Sequence, residues 1–200
     1  MKAKMSFIVG TVALTVASIS AQAQVAITGE IDFTGGATID TAIPGATTFD
    51  TFFGPSGSGG PVVQAGSGLP SGSYASVAGN TVANFSGSFD FGSPTLPFNL
   101  WSFNFAGQTY GFQINTVASD LQFTVPFDYI DISGTGTGTI TGGPTTYLPT
   151  TEDWSITGTT TAGDLTINIG NSVSAVPEPS TLAFGGLGSL LSIVTLIRRK

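Results

Sequence analysis

Apolar residues in the middle of this chain fall on alternate positions. Trp101, Phe103 and Phe105 share one parity, with Ser102 and Asn104 between them. Tyr110, Phe112 and Ile114 repeat the pattern after Ala106-Gly107-Gln108. A period of two puts such residues on one face of a strand. The pair of runs predicts a hairpin with an aromatic inner face, turning at Ala106-Gly107-Gln108. Near the start, Val25, Ile27, Ile31 and Phe33 point one way, Glu30 and Asp32 the other. Phe85, Phe89 and Phe91 share a parity. Leu121, Phe123, Val125 and Phe127 alternate as well, but Ile130 and Ile132 take the opposite parity. A bulge near 126–128 would restore the phase, and Pro126 suits an edge strand. The last strands are predicted at 154–160 and 165–169, joined by Ala162-Gly163-Asp164. No part of 24–175 repeats with a helical period. The fold class expected is all-β: an antiparallel β-sandwich, jelly-roll-like.

Residues 54–73 break the alternation. Fifteen of these twenty are Gly, Ser or Pro. Strands on both sides belong to one pattern, so the segment reads as a long flexible loop inside a single domain rather than a linker.

The two ends follow another logic. Lys2 and Lys4 precede an apolar run at 7–19 that is short for a membrane span, and Ala21-Gln22-Ala23 is a small-x-small cleavage site. That order predicts a signal peptide over 1–23, with Ala21 and Ala23 at the cleavage site. At the other end, Pro177-Glu178-Pro179 leads into an apolar stretch at 180–197, closed by Arg198, Arg199 and Lys200. Eighteen residues at ~1.5 Å each span roughly 27 Å, which predicts one transmembrane helix. By the positive-inside rule the basic cluster stays cytoplasmic and the body lies outside.

A Pro-Glu-Pro tripeptide, a single apolar span and a terminal basic cluster resemble the PEP-CTERM sorting signal. The resemblance covers 176–200. It implies processing by an exosortase, a membrane Cys transpeptidase-like enzyme, in a Gram-negative bacterium that secretes exopolysaccharide. The same tail also carries the label ice-binding protein C-terminal domain, which is not evidence of ice binding. Runs in the body, including 29–38, Leu100-Trp101-Ser102-Phe103, 132–137 and Trp154-Ser155-Ile156, are similar to those of uncharacterised PEP-CTERM secreted proteins. That second resemblance brings no activity with it.

Charge then narrows the chemistry. All five basic residues lie in the first four or last three positions, and there is no His or Cys. Eleven of the twelve acidic residues fall in 24–175. A body without a cation is a poor partner for nucleic acid. A Ser nucleophile would lack its usual base. The reading is therefore not an enzyme and no required cofactor. The remaining catalytic option is a two-carboxylate glycosidase, with Glu30 and Glu152 as the pair and Trp101 or Trp154 as a sugar platform. Calcium, which takes hard oxygen ligands, is better served by Asp128, Asp131, Glu152 and Asp153. Residues 133–141 alternate hydroxyls with mostly Gly, a Thr ladder able to meet sugar hydroxyls, with Thr159, Thr160 and Thr161 expected beside it.

The function expected is an exported surface or extracellular-matrix protein with a structural or adhesive role in an exopolysaccharide layer. The alternative is a glycan- or calcium-binding β-sandwich module, and the glycosidase comes third. The partners expected are the exosortase, exopolysaccharide or other matrix components, and the membrane through the C-terminal helix before processing. The location expected is the envelope during sorting, then the cell surface or matrix.

Overall fold

A computed structural model describes residues 24–66, 69–161 and 164–173. The signal peptide expected at 1–23, the predicted join at Ala162 and Gly163, and the transmembrane helix expected within the tail at 176–200 lie outside the described residues. The described chain is all-β and contains no α-helix. Its first half holds β1 (Val25–Ala26), β2 (Gly29–Ile39), β3 (Thr48–Phe53), β4 (Val62–Val63), a 3-10 turn (Gly72–Tyr74), β5 (Asn84–Phe85) and β6 (Phe89–Asp90). Its second half holds β7 (Phe98–Phe105), β8 (Gln108–Ile114), β9 (Ser119–Phe123), β10 (Tyr129–Gly142), β11 (Tyr147–Leu148), β12 (Thr150–Thr161) and β13 (Asp164–Val173).

One antiparallel ladder joins most of them, in the order β5-β7-β8-β10-β12-β13-β2-β3-β6. β4 adds to β2, β9 adds to β10, and β1 and β11 form a separate parallel pair. The pattern predicted a sandwich of two sheets. The ladder is instead continuous and curls on itself. The four long strands β2, β10, β12 and β13 carry it without a break, and strand twist bends it. Its two ends meet across the interior. Phe33 of β2 packs 4.9 Å from Trp101 of β7, and Phe89 of β6 stacks 4.9 Å from Phe98 of β7. Burying these rings supplies the main driving force, since each aromatic side chain removes a large apolar area from water.

The predicted central hairpin is β7 and β8. Trp101 pairs with Phe112 and Phe103 with Tyr110, all four buried. The turn is Ala106-Gly107, with φ of 49° and 79°. Two positive φ values define the tight turn that suits the twist of a two-residue hairpin. Gln108 is thus the first residue of β8 rather than part of the turn.

Two expectations are corrected. The parity change after Phe127 is not a bulge in one strand. β9 and β10 form a second hairpin, Phe123 facing Tyr129 and Ser119 facing Ser133, so the change of phase is a reversal of the chain at 124–128. Pro126 lies in that reversal and not in an edge strand. The Gly/Ser/Pro-rich segment is also pinned rather than loose. Val63 is buried in β4 against β2, and the backbone N–H groups of Ser71 and Ser73 donate to Glu30 and Thr28 carbonyls at 2.9 and 2.7 Å. Gly29 and Gly72 meet there. A Cβ on either would lie 2.7 Å from the other's Cα, so the approach needs both glycines.

Candidate functional site

Glu152 on β12 points into the interior and is 1% exposed. Strand pairing puts it opposite Gly136 of β10. Its carboxylate rests on Gly138, where any Cβ would collide with Oε1. The phenol of Tyr74 donates to Oε1 at 2.6 Å, and Oε2 is buried without a partner. Burial pushes the carboxyl up to about 7, opposed in part by the Tyr74 hydrogen bond. Tyr74 is itself held far above the ordinary phenol value, by burial first and then by the neighbouring Glu152 charge. Tyr110 lies beyond, its ring 6.0 Å from that of Tyr74, and donates to Gln108 Oε1 at 2.7 Å. This is a proton-holding group in the core, with no described cation beside it.

Glu30 occupies the other side of the sheet. It pairs with Ser172, and Ser172 pairs with Asp153, so the three share the outer face. Glu30 and Glu152 therefore do not face each other across a cleft. Asp32 lies next along the same face. Burial and then the Glu30 charge raise its pKa to about 6, and Oδ1 finds no hydrogen-bond partner. The two tryptophans are not sugar platforms. Each is 2% exposed, Trp101 donating to Asn171 Oδ1 at 3.1 Å and Trp154 to the carbonyls of Thr116 and Thr135 at 3.2 Å.

The four carboxylates considered for calcium are not brought together. Glu152 points inward and Asp153 outward from adjacent positions of one strand. Asp131 pairs with Thr157, five residues from Glu152, which is about 17 Å along a strand. Asp128 accepts from the Thr160 hydroxyl at 3.2 Å. Among the described residues no group of three such ligands could hold a metal ion.

The Thr ladder forms as a face of β10, but with different neighbours. Thr137 pairs with Thr151, whereas Thr159 pairs with Tyr129 at the far end of the strand. The glycines opposite the hydroxyls have a packing role. At Gly136 the ring of Phe112 fills the place a side chain would take. On the outer face a depression of about 300 Å³ around Gly111 is lined by Ser86, Asn99, Ser102, Gln113, Thr137 and Thr139, and also by the otherwise buried Trp101 and Phe112. Gln113 donates to Asn99 at 3.0 Å, and Asn115 beside it to Thr137 at 2.7 Å. These amides and hydroxyls carry no charge and both donate and accept, the equipment for meeting a neutral polyhydroxyl chain. Sequence reasoning missed the Tyr74–Glu152 pair and Asn171. Tyr74 follows the Gly/Ser/Pro-rich segment and sits 78 residues from Glu152, a distance no local pattern bridges.

An all-β body followed by a Pro-Glu-Pro tail is the architecture of an exported protein with a C-terminal address. The family model for the PEP-CTERM protein-sorting motif matches residues 175–200. The chain carries that motif, which implies exosortase-dependent export and sorting at the cell envelope. No curated protein and no solved structure matches the chain.

Proposed function

We propose that this is a surface or extracellular-matrix protein of a Gram-negative bacterium, with a structural or adhesive role in an exopolysaccharide layer. The sorting motif at 175–200 carries the reading, because it directs a cation-free β body to the envelope. The outer face supports it. Rows of Thr, Ser, Asn and Gln present hydroxyls and amides, and the carboxylates keep the surface hydrated and repel nonspecific anionic partners. The proposed route places Ala21 and Ala23 at signal cleavage, Pro177, Glu178 and Pro179 at exosortase recognition, and Arg198, Arg199 and Lys200 on the cytoplasmic side of a transmembrane helix at 180–197. No catalytic role forms part of the proposal.

The test is fractionation of the full chain in an exosortase-bearing host that makes exopolysaccharide. The intact protein should be found with the matrix and be freed when the polysaccharide is digested. A variant with Pro177, Glu178 and Pro179 replaced by Ala should stay in the membrane fraction. Cytoplasmic retention of the intact chain, or free diffusion into the medium with no matrix-bound pool, sinks the reading.

The depression around Gly111 favours a second reading, a glycan-binding module. Retardation of the exported protein in gels containing neutral polysaccharide, lost on replacing Asn99 and Gln113 with Ala, supports it. Equal mobility with and without polysaccharide removes it.

A further inference from the structure

The chain between β4 and β5 lies against the start of β2 as a strap. Two backbone bonds close its base, the Val63 N–H donating to the Thr81 carbonyl at 2.9 Å and the Asn80 N–H to the Val63 carbonyl at 2.8 Å. Residues 69–79 within it belong to no strand of the ladder. Short polar contacts hold them. The N–H groups of Ser71 and Ser73 donate to the Glu30 and Thr28 carbonyls. In return the Glu30 and Thr28 N–H groups donate to Ser71 Oγ at 3.0 Å and Ser73 Oγ at 3.1 Å. Within 69–79 only the side chains of Tyr74 and Val77 are buried. Tyr74 is the deep polar anchor, because its phenol bonds Glu152 on β12.

The anchor meets a carboxyl with nothing to balance a charge. β10 presents Gly136 and Gly138 at this level. β8 presents the Tyr110 phenol, and the strap that of Tyr74. β13 presents the neutral Asn171, opposite Trp154, with its carbonyl oxygen taken by Trp101. Glu30 and Asp153 stand on the other face of the sheet. An ionised Glu152 would therefore carry a charge in the core with a hydrogen bond on Oε1 and none on Oε2. An unpaired buried charge is strongly unfavourable, and water must reach it. Water enters at least cost where the fewest bonds break. β8, β10, β12 and β13 are held by continuous ladder pairing, whereas the strap hangs on its contacts with residues 28 and 30 and on two buried side chains.

We propose that residues 69–79 are a strap that stays closed while Glu152 carries its proton and lifts when Glu152 ionises. Lifting takes Tyr74 off the carboxylate, lets water reach Oε2, and uncovers Tyr110 with Phe103 stacked 4.9 Å behind it. Tyr74 keeps its own proton throughout, since burial holds it far above the ordinary phenol value. The ladder remains paired, so the event is a local opening rather than unfolding. The sign follows from the two states of Glu152. The closed form binds the proton up to about pH 7 and the hydrated form releases it near 4.5, so opening grows as pH rises between them, by at most roughly 300-fold. This inference stands apart from the matrix role.

The test is amide hydrogen exchange of the exported protein at pH 5 and pH 8, read peptide by peptide. Each rate is divided by that of the unstructured chain at the same pH, which removes base catalysis. Protection within 69–79 should fall roughly 70-fold from pH 5 to pH 8, while peptides of β12 and β13 keep theirs. Glu152→Gln should leave protection of the strap independent of pH. Tyr74→Phe keeps the ring and loses the hydrogen bond, so its strap should be less protected at both pH values and still respond to pH. A wild-type strap indifferent to pH, or an equal fall in Glu152→Gln, overturns the proposal. So does a fall in the ladder that matches the strap, which would be global unfolding. Loss of the pH response in Tyr74→Phe would take the proton away from Glu152 and overturn it as well.

Discussion

β10 carries two hairpin partners along the same edge. β8 pairs with its Gly136–Gly142 half, and β9 with its Tyr129–Ser133 half. Both partners bring alternating apolar side chains. In the first hairpin Trp101, Phe103, Tyr110 and Phe112 are at most 3% exposed. In the second, Leu121 and Phe123 are 55 and 43% exposed. The patterns are alike and the outcomes opposite. The difference comes from the turns and from what lies beneath. A two-residue turn keeps Trp101 and Phe112 paired on the inner face, over the bare backbone of Gly136. The reversal at 124–128 instead puts Leu121 and Phe123 on the row of Asp131 and Tyr129, while Gln122 faces inward above Ile130. Gln122 is held there by the loop before β3, donating to the Ala46 carbonyl at 2.8 Å and accepting from the Gly45 and Ala46 N–H groups. Alternation defines two faces of a strand; it does not say which one is wet.

The largest effect expected follows from this contrast. Phe112→Ala empties the space between Trp101 and Gly136, and a cavity of that kind costs about 3–5 kcal/mol. Phe123→Ala removes a side chain already in water and should cost less than about 1 kcal/mol. Urea midpoints of the two exported variants against the parent decide it. Equal losses would mean that the second hairpin is buried too, by a second copy or by its own chain.

The parts of the fold that were legible in the sequence are those set by local chemistry. Gly107 marks a turn, and flanking aromatics on matching parities mark its strands. The late strands were legible for the same reason, although Asp164, read as part of their join, opens β13. The phase change at Ile130 was visible, but its cause was not, because a bulge and a reversal leave the same trace along the chain. The packing of the Gly/Ser/Pro-rich segment was hidden too. Gly29 and Gly72 are paired by tertiary contact over 43 positions, and nothing near either one announces the other. Of the candidate site residues, the tail residues were read from an ordered motif, which the family model matches. The body carboxylates were read from composition, which counts charges without placing them on a face. Glu152 and Asp153 look like one acidic pair in the sequence, and the strand sends them to opposite sides of the sheet.

Glu152 sharpens the contrast between the two halves of β10 by way of pH. Its carboxyl rests on Gly138, in the half that packs on β8. Burial raises its pKa from 4.5 to about 7. Between those values the folded state keeps a proton that the unfolded chain has released. Its contribution to stability is therefore complete below about pH 4.5 and is lost as pH rises through 7. The fall amounts to roughly 3 kcal/mol. Asp32, raised to about 6, adds a slope of the same sign, reduced because it is only half-buried. Glu152→Gln should flatten most of the slope while its carbonyl still accepts from Tyr74. The check is the urea midpoint from pH 4.5 to 8 in both proteins. Identical slopes would assign the effect to other carboxylates.

The smallest effect expected concerns the turn that separates the two hairpins' fates. Ala106 is exposed and has φ of 49°, a left-handed conformation that a Cβ disfavours. It sits at the first central position of a turn whose preferred residues are Asn-Gly, and Gly107 already supplies the second. Ala106→Asn leaves the fold's contacts untouched, since the side chain points into water. It relieves local strain because Asn tolerates the left-handed region. The gain should be about 0.5–1 kcal/mol, small but positive, read as a rise in urea midpoint with an unchanged slope. The substitution also tests the register of the aromatic hairpin itself. If Gln108 were a turn residue, as the alternation alone implied, the central pair would shift by one. Asn at 106 would then gain nothing or cost stability. A midpoint that falls would favour that register over the pairing of Phe105 with Gln108.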